Sequence, residues 1–183
     1  ERDRIITGEH VDAGDVLIGL PSPGLRSNGY SLARKVLLEI GARQLTDPAW
    51  TGAHRSLADE LLEPSVIYAP AIAALLRAVD VRGVAHITGG GMPGNLGRIV
   101  PKDLDAVVQR RTWEPPPIFG EIQRLGEIDD AEMARVFNLG IGMVVVVPPS
   151  DAFKALDVLR SQGHRAVEIG TVEPGRGEVR LVG

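Results

Sequence analysis

The segment His86-Ile-Thr-Gly-Gly-Gly-Met-Pro-Gly-Asn95 holds the residue types best suited to gripping an anion. Gly89, Gly90 and Gly91 lack Cβ atoms, so successive backbone N–H groups can turn inward together. The stretch before them reads as a strand and the stretch after as a helix, whose first turn adds partial positive charge. His86 and Thr88 share one strand face, and Asn95 follows a turn later. Such a loop suits a phosphate or a developing oxyanion. A tight turn is the alternative, although a turn rarely needs more than one or two glycines.

A second polar loop, Ser22-Pro-Gly-Leu-Arg-Ser-Asn-Gly29, also runs into a helical pattern. Arg26 can take a phosphate or carboxylate through two parallel hydrogen bonds, and Ser27, Asn28 and Gly29 offer short or absent side chains around it. The plainer reading is that Ser27 or Asn28 caps the helix and Arg26 is solvated. A third segment, Phe137-Asn-Leu-Gly-Ile-Gly-Met143, places Asn138 before a dense apolar run. Under strand alternation Gly140 and Gly142 share a face open to a ligand, a bulge or another backbone. His10, His54, His86 and His164 are scattered without the spacing of a metal site, so no metal ligands are assigned. No catalytic acid, base or nucleophile stands out. The G-x-S-x-G elbow, the Walker lysine loop and the G-x-G-x-x-G fingerprint are absent. An anion can be held here, but no complete nucleotide site is written in this chain.

The elements that must position these loops follow from periodicity. Asp15–Pro21 reads as a strand, and Leu32, Val36, Leu37 and Ile40 recur at helical spacing. Gly41 is the expected stop, in a left-handed conformation. Residues 44–56 read as a loop. Ile72, Leu75, Leu76 and Val79 form a helical stripe behind Pro70, which suits a first turn. Val81–Thr88 reads as a strand, Met92–Val100 as a short helix, and Leu104–Gln109 as a strand. After Pro115–Pro117 come helices over Ile118–Leu125 and from Asp129 or Asp130 to Phe137. Ile141–Val147 is the strongest strand. Ser150 is the expected cap of a helix with the stripe Ala152, Ala155, Leu156 and Leu159. Arg165–Val172 and Glu178–Val182 read as a β-hairpin. The fold class implied is α/β of the α+β type, a mixed sheet packed with helices in one domain over residues 1–183.

Composition narrows the function. The 183 residues carry 20 basic and 24 acidic side chains, a net charge of −4, which does not favour a duplex-binding surface. Two tryptophans, two tyrosines and three phenylalanines, scattered along the chain, do not build a stacking platform, so nucleic acid is not expected as a partner. No apolar run is long enough to span a bilayer, and the charged start does not read as a secretory signal. Zero cysteines exclude disulfides, thiolate metal sites and a cysteine nucleophile, and fit a cytoplasmic protein.

Taken in order, several segments resemble the C-terminal domain of the aminoimidazole ribonucleotide synthetase (phosphoribosylformylglycinamidine cyclo-ligase) family. They are Gly24-Leu-Arg-Ser-Asn-Gly-Tyr-Ser-Leu32, Leu62-Glu-Pro-Ser-Val-Ile-Tyr68, and Ala85-His-Ile-Thr-Gly-Gly-Gly91 with Asn95 and Arg98. Trp113, Pro117-Ile-Phe119, Glu132-Met-Ala-Arg-Val-Phe-Asn138 and Gly140-Ile-Gly-Met-Val144 continue the series. Each piece is weak alone; the ordered set is specific. The resemblance implies ATP-dependent closure of an imidazole ring in purine biosynthesis, with ATP and magnesium as cofactors. The implied partners are formylglycinamidine ribonucleotide, an N-terminal ATP-binding domain that would precede this segment, and a second copy in a homodimer. Residues 1–14 then read as a remnant linker or strand from that domain. Arg26, Ser27, Asn28, Gly29, His86, Thr88, Gly89, Gly90, Gly91, Asn95, Asn138, Gly140 and Gly142 become the expected substrate- or phosphate-binding set.

One departure matters. Arg26 stands where many members have histidine, and arginine stays charged at any working pH, so it cannot shuttle a proton. The competing readings are a related ATP-dependent kinase or synthetase, and a non-catalytic binding or dimerisation module on the same scaffold.

Overall fold

A computed structural model describes residues 5–183. The expected remnant over 1–14 lies partly outside these residues; residues 5–14 form turns and irregular chain rather than a strand. Asp15, buried below, holds that entry segment through its carboxylate, which accepts from the Asp12 N–H at 2.9 Å and from Arg82 at 2.8 Å.

Six strands form one mixed sheet: β1 (Val16–Pro21), β2 (Gly83–His86), β3 (Leu104–Gln109), β4 (Ile141–Val147), β5 (Val167–Pro174) and β6 (Val179–Val182). Their order across the sheet is β2-β4-β1-β5-β3-β6. All neighbours are antiparallel except β3 and β6, which run parallel. The helices are α1 (Tyr30–Arg34), continued by a π-helical stretch over Lys35–Ile40, then α2 (Leu57–Leu61), α3 (Ala69–Ala78), α4 (Gly91–Leu96), α5 (Pro117–Gly126), α6 (Asp130–Val136) and α7 (Ala152–Ser161). Among the described residues, no helix is long and apolar enough to cross a membrane.

Alternation along the central strands explains the layers. Leu17, Val144 and Val146 point to one face, where they bury Met92 and Leu96 of α4. Val16, Ile18, Val145 and Val147 point to the other, under Leu75 of α3 and Ala155 and Leu159 of α7. A third apolar cluster, with Val36, Leu37, Leu57, Ile122 and Phe137, joins the remaining helices. Helix starts follow local chemistry: Pro70 and Pro117 sit in first turns, and the Asp129 side chain caps α6 by accepting from the Glu132 N–H at 2.7 Å.

Three expectations are corrected. The last two strands are not a hairpin, because β3 lies between them and pairs with both. The intervening turn wraps the start of β3, where the Asp105 carboxylate accepts from the Arg176 and Glu178 N–H groups at 2.7 and 2.9 Å. Those bonds and the nearby Arg180 hold the Asp105 carboxyl below its usual range. Gly41 is not the left-handed stop. Its φ is −77°, its N–H closes a wide turn onto the Val36 carbonyl, and Ala42 takes the left-handed conformation instead. Ser150 does not cap α7, which is entered through a 3₁₀ turn over Pro149–Asp151 with no side-chain cap.

Candidate functional site

The two polar loops come together. The loop after β1 enters α1, the loop after β2 enters α4, and the Asn28 Oδ1 atom lies 3.6 Å from the Cβ position of Gly89. Ser27 is exposed and Asn28 is half-buried. Neither caps α1, whose N-cap is Gly29 packed against the Phe137 ring. Their side chains make no hydrogen bond to another described residue, which leaves two short polar groups facing outward beside the glycine loop.

Within that loop the amides divide. The Gly91 N–H closes a turn onto the Thr88 carbonyl at 3.0 Å, while the Gly89 and Gly90 N–H groups have no partner among the described residues. Three available amides were expected; two are found. Helix α4 spans six residues, so its dipole adds less than a longer helix would. Gly91 is fixed by packing: its φ is +59° and a Cβ there would lie 1.7 Å from the Ala134 carbonyl oxygen. Asn95 is buried and clasps the loop, its amide donating to the Gly91 carbonyl at 2.8 Å and accepting from the Thr88 hydroxyl at 3.2 Å. Asn138 ties the first loop down in the same way. It donates to the Gly24 carbonyl at 2.8 Å and accepts from the Gly140 N–H at 2.7 Å.

Arg26 occupies neither of the two positions weighed for it. It is 7% exposed and turned inward. One terminal nitrogen donates to His86 Nε2 at 2.9 Å and the other to the Ile87 carbonyl; Nε has no partner among the described residues. Arginine offers only donors, so His86 must accept at Nε2 and carry its proton on Nδ1. His86 is exposed as a residue, but burial of its inner side, together with the charge of Arg26, pushes its pKa down. Burial also lowers the Arg26 pKa. Space for the guanidinium comes from Gly142, where a Cβ would fall 2.1 Å from the Tyr68 hydroxyl and 3.0 Å from an Arg26 nitrogen. The expected shared face of Gly140 and Gly142 is not formed. Gly140 precedes β4 and lies against Pro115 and Pro116, whereas Gly142 is within the strand.

Residues 12–182 match the family model described as AIR synthase related protein, C-terminal domain. The chain belongs to this family. A phosphoribosylformylglycinamidine cyclo-ligase from Myxococcus xanthus is 52% identical over 182 residues, covering 100% of this chain and 52% of the relative. One of the same name from Thermodesulfovibrio yellowstonii is 46% identical over 175 residues, covering 96% of this chain and 51% of the relative. The chain thus spans about half the length of the curated relatives it matches. Among solved structures, thiamine-monophosphate kinase from Stenotrophomonas maltophilia shares the fold. Its TM-score is 0.65 at 16% identity, over 100% of this chain and 54% of its own.

In this family member, Tyr68 is the residue the sequence reading did not assign to the site. It is buried, donates to the Pro21 carbonyl at 2.7 Å, and packs edge-on to His86 at 6.4 Å between ring centroids. Burial pushes its pKa up. It closes the floor under Arg26. Its sequence signals are the end of the Leu62–Tyr68 resemblance segment and an aromatic just ahead of the Pro70 helix start; neither shows a site role, because its hydroxyl and ring meet residues distant along the chain. Among the described residues, no three His, Asp or Glu side chains gather as a metal site.

Proposed function

We propose that this chain is the substrate-side half of a phosphoribosylformylglycinamidine cyclo-ligase. The observation that carries the reading is 52% identity along the whole segment to a protein of that name. In the reaction, the γ-phosphoryl group of ATP passes to the formyl oxygen of formylglycinamidine ribonucleotide. The amidine nitrogen then attacks the activated carbon, the C–O bond breaks, phosphate leaves, and the ring closes with loss of a proton.

Such chemistry asks for preorganised donors at a moving phosphoryl group and for alignment of the two ends of one substrate. Ser27, Asn28 and the free Gly89 and Gly90 amides supply short donors on one face, with Thr88 and His86 at its border. Arg26, Gly29, Gly91, Asn95, Asn138, Gly140 and Gly142 hold those loops in place, and Arg26 fixes the tautomer of His86. Among the described residues no carboxylate or histidine cluster gathers that would fit a magnesium site; on this reading the rest of the protein supplies the magnesium ligands and the adenosine pocket. On this reading the whole protein uses ATP with magnesium and works as a homodimer in the cytoplasm.

The test joins residues 5–183 to the preceding part of the Myxococcus xanthus relative. The expected result is ATP-dependent formation of aminoimidazole ribonucleotide by the joined protein and none by residues 1–183 alone. A folded joined protein that turns over ATP only with other acceptors would assign the chain to a related kinase or synthetase. Turnover by residues 1–183 alone would overturn the division of labour.

A further inference from the structure

Three strand ends meet on the far side of Pro21 from the paired loops. Strand β5 pairs antiparallel with both β1 and β3, with Gly19 opposite Val167 and Val108 opposite Gly170. The end of β1 at Pro21, the turn Arg110–Thr112 after β3 and the approach to β5 at Arg165 therefore surround one cleft of roughly 510 Å³. Arg111, Thr112, Trp113, Glu114 and Arg165 line it, none of which belongs to the expected substrate-binding set. An adjoining cleft of roughly 590 Å³, walled by Pro115–Pro117 and His164, shares Pro21, Glu114, Gly140 and Arg165 with the first.

The positive charge of this cleft is not compensated within the fold. Arg110 next door pairs with Asp130 at 3.8 Å. Arg111 and Arg165 are exposed and make no ion pair or side-chain hydrogen bond to a described residue. Glu114, the one carboxylate in the lining, pairs with neither. In a chain of net charge −4, two free guanidiniums over one cleft form a local positive field, and each can grip a phosphate through two parallel hydrogen bonds. The walls are fixed beforehand. Trp113 is half-buried and its Nε1 donates to the Leu139 carbonyl at 2.8 Å, which holds the indole in place. Pro21 borders the cleft and Pro115–Pro117 its neighbour, each with a locked φ, so little freedom is lost when a ligand enters. A held indole suits a second aromatic ring, and a carboxylate beside it accepts from hydroxyls or an exocyclic amine.

We infer that this cleft is a binding site for a nucleoside monophosphate, separate from the paired loops. Arg111 and Arg165 take the phosphate, Trp113 meets the base, and Glu114 accepts from the ribose hydroxyls. The volume is in the range of small-ligand sites. Inorganic phosphate engages the arginines alone, and an open-chain ribonucleotide has no second ring to set against Trp113, so both are weaker ligands here. The inference stands on this surface and does not depend on the activity proposed above.

Titration of residues 1–183 with adenosine monophosphate, inorganic phosphate and adenosine in turn, followed by amide chemical shifts, tests it. Adenosine monophosphate is expected to move the amides of residues 111–114 and 165–167. Its dissociation constant should be at least about tenfold lower than those of inorganic phosphate and adenosine. Emission from Trp113, read in a Trp50→Phe variant, should fall along the same curve. Arg111→Gln with Arg165→Gln is expected to weaken adenosine monophosphate at least about tenfold. The melting temperature should stay unchanged, because neither side chain is paired in the fold, and each single variant should lie between. Adenosine monophosphate binding no tighter than inorganic phosphate would overturn the inference. So would shifts confined to Ser27, Asn28, Gly89 and Gly90, no saturable shift at millimolar ligand, or wild-type affinity in the folded double variant.

Discussion

A guanidinium held between an imidazole nitrogen and a main-chain carbonyl does two jobs at Arg26. It closes the space beneath the loop after β1, and it fixes which nitrogen of His86 carries the proton. Arg26→Ala strips the Ile87 carbonyl of its donor and leaves a hole beside Gly142, so a loss of ~1–3 kcal/mol is expected in chemical denaturation. Arg26→Lys should recover part of it, since one ammonium cannot span both acceptors. Unchanged stability of Arg26→Ala would remove this brace from the account. His86 gives a pH signature. Its folded pKa lies below the unfolded value of about 6.5. The unfolded chain therefore binds more protons in that window, so stability is fully present above the unfolded value and lost as pH falls through the folded one. Melting temperatures across a pH series should show that loss in the wild type. His86→Gln, which can still accept from Arg26 but does not titrate, should flatten it; identical pH profiles would count against it. Residue types alone could not show any of this. An arginine in a polar loop offers no signal that its partner is a histidine sixty residues on, or that a missing Cβ in a third strand makes room for it.

At the scale of elements, signals within one turn of chain were legible and signals between strands were not. Pro70, Pro117 and Asp129 mark helix starts because a first turn tolerates proline and rewards a side-chain acceptor at its N-terminus. The hairpin reading of the last two strands failed because local alternation does not reveal a strand inserted between them. Only Asp105, 71 residues before Arg176, shows where the turn is anchored. The glycine loop was legible as a loop, but not as one clasp-like side chain, one packed glycine and two free amides. That division has a consequence. Gly91→Ala drives a methyl into the Ala134 carbonyl and should leave little folded protein. Gly90→Ala meets nothing closer than 3.7 Å, so it should cost only the ~1–2 kcal/mol of a side chain in a left-handed conformation. Circular dichroism melts of the pair check this; equal melting temperatures would mean that Gly91 is not packed as described.

For the whole molecule, the mixed sheet packed with helices was legible because strand and helix periods alternate along the chain in a pattern that leaves few arrangements. The half-covered apolar strip beside α3 was not, since Ile72 and Leu76 read as ordinary core positions until the sheet order makes β2 an edge strand. The central claim, that the paired loops form the substrate face of this half, can be tested on the chain as it stands. Residues 1–183 titrated with formylglycinamidine ribonucleotide and followed by amide chemical shifts should respond at Ser27, Asn28, Gly89 and Gly90, with smaller changes at His86 and Thr88. Shifts confined to other surfaces, such as the cleft of Glu114, His164 and Arg165 on the far side of Pro21, or no shifts at saturating ligand, would contradict it.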